Sequence, residues 1–130
     1  MADACRVKHA FALDAVVQLG PGGDERAPGG AVSLALCGSW EHEGPCPVAP
    51  HRTTAERTGQ VVALRVLYAC SPEAEPDVRA TIIAALAGAR LDHPEARSTT
   101  WELSSCVPGD ILPGEHDLAE RLVRQAPGSS

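Results

Sequence analysis

VVALRVLYAC (Val61–Cys70), followed at once by SPEAEP (Ser71–Pro76), is the junction on which the fold turns. Ten residues dominated by Val, Leu and Ala, with Arg65 as their one charge, read as a strand covered on both faces and therefore central in its sheet. The next six residues read as a helix start. Ser71 or a glutamate caps, proline stands in the first turn, and acids sit where the helix dipole favours them. The helix runs to about Arg90. Val78, Ile82, Leu86 and Ala89 form its apolar stripe, broadened by Ile83 and Ala85. Asp92-His93-Pro94 closes it.

Upstream, His9 to Leu19 alternates cleanly. Phe11, Leu13, Ala15, Val17 and Leu19 share one face, with Asp14 and Gln18 on the other, as a half-buried strand requires. Residues 20–30 (GPGGDERAPGG) contain five glycines and two prolines and read as a flexible connection. Ala31 to Trp40 reads as a second strand, with Val32, Leu34, Leu36 and Trp40 opposed to Ser33, Cys37 and Ser39. Residues 41–60 have no apolar period and read as a long loop, a length that is functional or disordered in most compact domains. Downstream, Ser98 to Val107 is the next strand, with Trp101, Leu103 and Val107 on one face and Glu102, Ser104 and Cys106 on the other. Pro108-Gly-Asp110 turns the chain, and Glu115 to Gln125 is a short amphipathic helix carrying Leu118, Leu122 and Val123.

The expectation is an α+β fold with chain order β-β-β-α-β-α. It has a four-stranded, mixed but mostly antiparallel sheet and two helices on one face, with a right-handed crossover where strands three and four pair in parallel. Residues 1–8 form an N-terminal arm, 9–125 a single domain with the long 41–60 loop, and 126–130 a disordered tail. A sheet with a solvated face is a natural surface for a second copy, so a homodimer is expected.

Composition narrows the functional classes. The chain has 130 residues, a net charge of −6, 44% apolar residues and four aromatic side chains, Phe11, Trp40, Tyr68 and Trp101. Lys8 is the single lysine and arginines are scattered, which argues against nucleic acid and against a polybasic membrane patch. No leader pattern and no apolar run of membrane length is present, so a cytoplasmic protein with reduced thiols is expected. The P-loop, the G-x-S-x-G elbow and H-E-x-x-H are all missing from the sequence.

The reactive residues concentrate between Cys37 and His51 (CGSWEHEGPCPVAPH), where two of five cysteines and two of five histidines follow C-x4-H-x3-C-x4-H. Thiolate and imidazole suit Zn²⁺, and Cys37, His42, Cys46 and His51 supply the four ligands of a tetrahedral site. The alternating ligand order departs from the paired spacing of common zinc modules. A small zinc-binding protein is the first functional expectation. In a catalytic form of the metal site, His42, Cys46 and His51 are the ligands, one position stays open, and Glu41 or Glu43 is the proton shuttle. The alternative is a small enzyme or ligand-binding module, without metal, whose Cys/His pocket lies under the 40–54 loop. There Cys46 is the nucleophile or redox thiol, with His42 and His51 within reach to activate it. Trp40, Arg52, Arg65 and Glu102 line that pocket, and the arginines pair with a small anionic ligand. Cys70 reads as a small buried hydrophobe.

Overall fold

The computed structural model describes residues 8–37, 50–93 and 96–125. Among the described residues five strands and three α-helices follow one another as β1 (His9–Leu19), α1 (Ala27–Cys37), β2 (His51–Thr58), β3 (Val61–Cys70), α2 (Glu75–Ala87), β4 (Arg90–His93), β5 (Ala96–Gly109) and α3 (His116–Gln125). The strands form one sheet in the order β2-β3-β1-β5-β4. Every pairing is antiparallel. Strand β3 separates β1 from β2, so the α1 connection skips one strand; the α2 connection skips two, to the edge strand β4, and β5 then returns to lie beside β1. Across β1, α1, β2, β3, α2 and β5 this is the double split β-α-β pattern of ferredoxin-like sheets.

The α+β class is as expected, but four details of the sequence reading change. The first is Ala31–Trp40, whose alternation predicts a strand but which lies in α1 as far as Cys37, while residues 38–40 fall outside the described part. The alternation of Val32, Leu34 and Leu36 is incidental. The buried positions are Ala27, Ala31, Val32 and Leu36, the spacing of one helix face. Asp24 accepts a hydrogen bond from the Arg26 amide at 2.9 Å just before the helix. Pro28 then occupies the first turn, where a missing N–H costs nothing.

The second change concerns the expected 41–60 loop, whose second half holds strand β2. It joins β3 through a two-residue turn with Gly59 at φ 63°, the sign that a II′ hairpin demands at its first central position. Third, the parallel crossover does not form, because β1 lies between the two strands expected to pair. β3 is accordingly an inner strand but not the middle one. The four-residue β4 is a further element, paired with the first part of β5. Fourth, the helices do not share a face. α1 and α2 pack over Leu13, Ala15 and Val17 of β1 and over Val62, Leu64 and Val66 of β3. α3 instead sets Leu122 against Ala12, Leu67 and Ala69 on the opposite side. Alternation makes this unavoidable: each inner strand has apolar residues at both parities near its Cys70 end, so both faces there need cover.

Two aromatic side chains pin α2 at its ends. The Tyr68 hydroxyl donates to Glu75 Oε2 at 2.6 Å, and its ring stacks on Phe11 with centroids 5.7 Å apart. The Trp101 indole N–H donates to the Leu86 carbonyl at 2.8 Å, satisfying one of the orphan acceptors of the helix C-terminus. Both rings are almost fully buried, so each polar tip needs its partner. In a chain with few aromatics, these contacts fix the helix on the sheet.

Candidate functional site

The site grows from the way α1 meets the edge strand β2. His51 is the first residue of β2 and points to the α1 side, with 6% of its surface exposed. Ser33 lies on the facing side of α1. Its Oγ and His51 Nε2 are 3.1 Å apart, a hydrogen bond in which the hydroxyl donates when Nε2 is unprotonated. Gly29, one turn earlier, lets the helix come down on Thr53, since a Cβ there would stand 3.1 Å from the Thr53 methyl.

Between helix and strand lies a cleft of about 470 Å³, with Glu25, Arg26, Gly29 and Gly30 on one wall and Thr53, Ala55 and Arg52 on the other. This is the size of a small-molecule site. Arg26 is held to Asp24 at 2.9 Å. The Thr53 hydroxyl is buried and has no hydrogen-bond partner among the described residues. Such a group is costly unless something else answers it.

The sequence-derived candidates distribute as follows. Trp40, Glu41, His42 and Cys46 lie outside the described residues. Cys37 is the last residue of α1 and His51 the first of β2, so these two bracket the undescribed segment. Among the described residues no group of three or more His, Cys, Asp or Glu side chains is placed to share a metal ion. Arg52 borders the cleft but belongs, with Arg65, to the sheet face that α3 covers, whereas His51 belongs to the other face.

Arg65 is not open to a ligand, because three groups of its own chain surround it. It donates Nε and Nη2 to the two oxygens of Glu115 at 2.8 and 2.9 Å, Nη1 to Asp14 at 2.8 Å, and Nη2 to the Asp110 carbonyl. The hydrogen bonds from Arg65 and from the Leu112 amide hold the Glu115 carboxyl down at about 2. Glu102 pairs with Gln18, four positions along β1 from the Asp14 row that holds Arg65, about 13 Å away at strand rise. The structure thus separates Arg65 and Glu102 from each other and from His51.

Sequence reasoning missed Ser33, which looked like an outward residue of a strand. Its partner His51 was singled out, but as a metal ligand. The signal for Ser33 was available in the helical spacing of Ala27, Ala31, Val32 and Leu36, which sets Ser33 at the border of the buried stripe.

Of the remaining cysteines, Cys70 is buried as expected, and its thiol is pushed up to about 11, first by desolvation and then by Glu75. Cys106 is half-buried opposite Ala15, and burial raises it too. Among the described residues no helix is long and apolar enough to cross a membrane. Comparison of the chain with protein-family models, with curated proteins and with solved structures returns no match, so its function has to be argued from this geometry.

Proposed function

We propose that this chain is a small-ligand-binding module whose recognition site is the cleft between α1 and β2. The observation that carries the reading is the Ser33–His51 hydrogen bond at 3.1 Å on the cleft wall, next to the buried, unanswered Thr53 hydroxyl. Ser33, His51 and Thr53 all line this one space, with Gly29 and Gly30 on its helix side. The ligand class is a small polar molecule with at least one hydrogen-bond donor for Thr53 and an acceptor for Ser33 or a protonated His51. Catalysis by Ser33 is the weaker form of this reading. Ser33 sits inside a helix whose neighbouring amides are spent on helical bonds, so no oxyanion donors face it among the described residues.

The test is a fragment library screened by amide chemical shifts on isotope-labelled protein. Hits should perturb Gly29, Gly30, Ser33 and Thr53, and His51→Ala should abolish them. Hits that cluster elsewhere, or that survive His51→Ala, refute the site. A fluorophosphonate probe settles the catalytic form: labelling of Ser33 lost in His51→Gln would establish an activated serine, and no labelling leaves a binding site alone.

A zinc site using Cys37, His42, Cys46 and His51 is the second reading, and one observation favours it. Ser33 touches His51, and Cys37 follows four residues later, about 6 Å along the helix axis, so the first and last of the four ligands stand on neighbouring backbone. Zinc bound through His51 Nε2 would displace the Ser33 hydroxyl. One equivalent of zinc on tag-free protein, lost in Cys46→Ser, supports this reading, and a metal-free protein rejects it.

A further inference from the structure

We propose that β2 pairs antiparallel with β2 of a second copy, centred on Thr54, so that two five-stranded sheets become one across a two-fold axis. Strand β2 is outermost in the sheet. The Ala69 amide donates to the Pro50 carbonyl, and the regular register from Pro50 onward then turns the backbone groups of Arg52, Thr54 and Glu56 inward to β3. Thr53, Ala55 and Arg57 therefore turn theirs outward, and no described strand pairs with them.

An antiparallel partner must bring outward-turned residues opposite outward-turned residues, which restricts the register to one residue in two. Centring on Thr54 meets that condition. Thr53 faces Ala55 of the second copy and the reverse, giving about four backbone hydrogen bonds. The same register places Arg52 opposite Glu56 of the second copy, twice, as non-hydrogen-bonded pairs whose side chains stand closest. Shifting the centre to Thr53 or Ala55 loses both ion pairs.

Two further observations favour a second copy. Arg52 shares a shallow cleft with Arg121, Leu118, Leu122 and Gln125 and with no carboxylate, a positive spot on a chain of net charge −6. Glu56 of the partner would enter beside it. The competing free edge, β5 beyond Trp101, is blunted by a bulge opposite Val16/Val17 and by Pro108, whereas β2 is eight residues of unbroken register. Charges on an edge strand also serve simply to repel other chains. Here, however, their order is self-complementary.

Sedimentation velocity on the full chain tests the proposal. Wild type should sediment as a dimer at high concentration. Arg52→Glu and Glu56→Arg should each shift the midpoint concentration at least about tenfold upward, and the R52E/E56R double variant, which restores both pairs with sign reversed, should recover it. Ala55→Pro should give a monomer with an unaltered β2–β3 ladder, because the lost amide points outward. Thr54→Cys should cross-link between copies on mild oxidation, since residues on the axis stand about 4.5 Å apart, and Thr58→Cys should not. A wild-type monomer at every concentration, a dimer unmoved by both single charge reversals, or a double variant no better than the singles would overturn the proposal.

Discussion

Replacing Arg65 with Met is expected to release α3 from the sheet while leaving the rest of the fold in place. Arg65 is four-fifths buried at its side chain and binds Glu115 in bidentate fashion and Asp14 at 2.8 Å, with Asp110 closing the ring. Glu115 ends the short turn Pro113–Glu115 that leads straight into α3. The magnitude follows from the carboxylates. Glu115 lowered from 4.5 to about 2 corresponds at face value to about 3 kcal/mol, and solvent access at this rim reduces that to about 1–2. Asp14 is nearly half exposed and adds about 0.5–1 kcal/mol. The total, about 1.5–3 kcal/mol, is comparable to what burying Leu122 contributes, roughly 2 kcal/mol. Without Arg65 the docking of α3 therefore rests on the Leu122 contacts and its partly buried neighbours alone. Amide hydrogen exchange of residues 116–125 should accelerate at least about tenfold, with β1 and β3 protection falling far less. Urea unfolding should lose about 2 kcal/mol or more. If α3 amides keep their wild-type protection while the ion pairs are gone, the clamp is ornamental and the reasoning fails.

The same pair sets an acid limit. Because Glu115 is depressed when folded, its contribution is fully present above about 4.5 and fades as pH falls toward 2; thermal melts across that window should drop more steeply for wild type than for Glu115→Gln, and parallel curves would contradict it. Thiol mapping gives a second check. With Cys70 raised to about 11 and Cys106 also raised by burial, neither should react with iodoacetamide at pH 7.5 until urea unfolds the chain, and prompt alkylation of either would show that its strand opens. Ala89 follows α2 at φ 63°, the position that glycine prefers after a helix. Ala89→Gly should raise stability by about 0.5–1 kcal/mol in urea titration, and a loss would mean that the methyl contact with the core outweighs the backbone strain.

The parts of this fold that were legible are those whose period admits one answer. β1 carries alternation over eleven residues, β3 is an apolar run of ten with a single charge, and α2 carries a helical stripe behind a proline and acids. β1 and β3 stand at the expected residues, and α2 stands where expected but ends at Ala87 rather than near Arg90, where β4 begins. α1 was illegible because Val32, Leu34 and Leu36 satisfy both periods over so short a window, and the glycines before them look like loop. β2 was illegible for a different reason. HRTTAERT has almost no apolar signal because an edge strand with one exposed face buries little, and only the glycine turn behind it marks a hairpin. Arg65 was read as a lone charge on a buried strand. That it is answered by Asp14 depends on which strand lies beside it, and by Glu115 on which face the last helix takes, neither of which a local pattern contains.

The candidate site was half legible for the same reason. A histidine among cysteines is conspicuous in sequence, so His51 stands out there, but with Cys37, His42 and Cys46 rather than with Ser33. Its contact with Ser33 joins two segments across the connection between α1 and β2, and only the packing of a glycine-bearing helix on a threonine-bearing strand brings them together. Small residues do double duty here. Gly29 weakens α1 by about 1 kcal/mol relative to alanine, yet it is what allows the helix to approach Thr53 while the cleft beside it stays open. The α2 side of the molecule spends its aromatic residues on fixing a helix, and the α1 side spends glycines on making room. A chain with so few large side chains can hold an open cleft only where the neighbouring elements are anchored elsewhere. Here that anchoring comes from Tyr68 and Trp101 on one face of the sheet and Arg65 on the other.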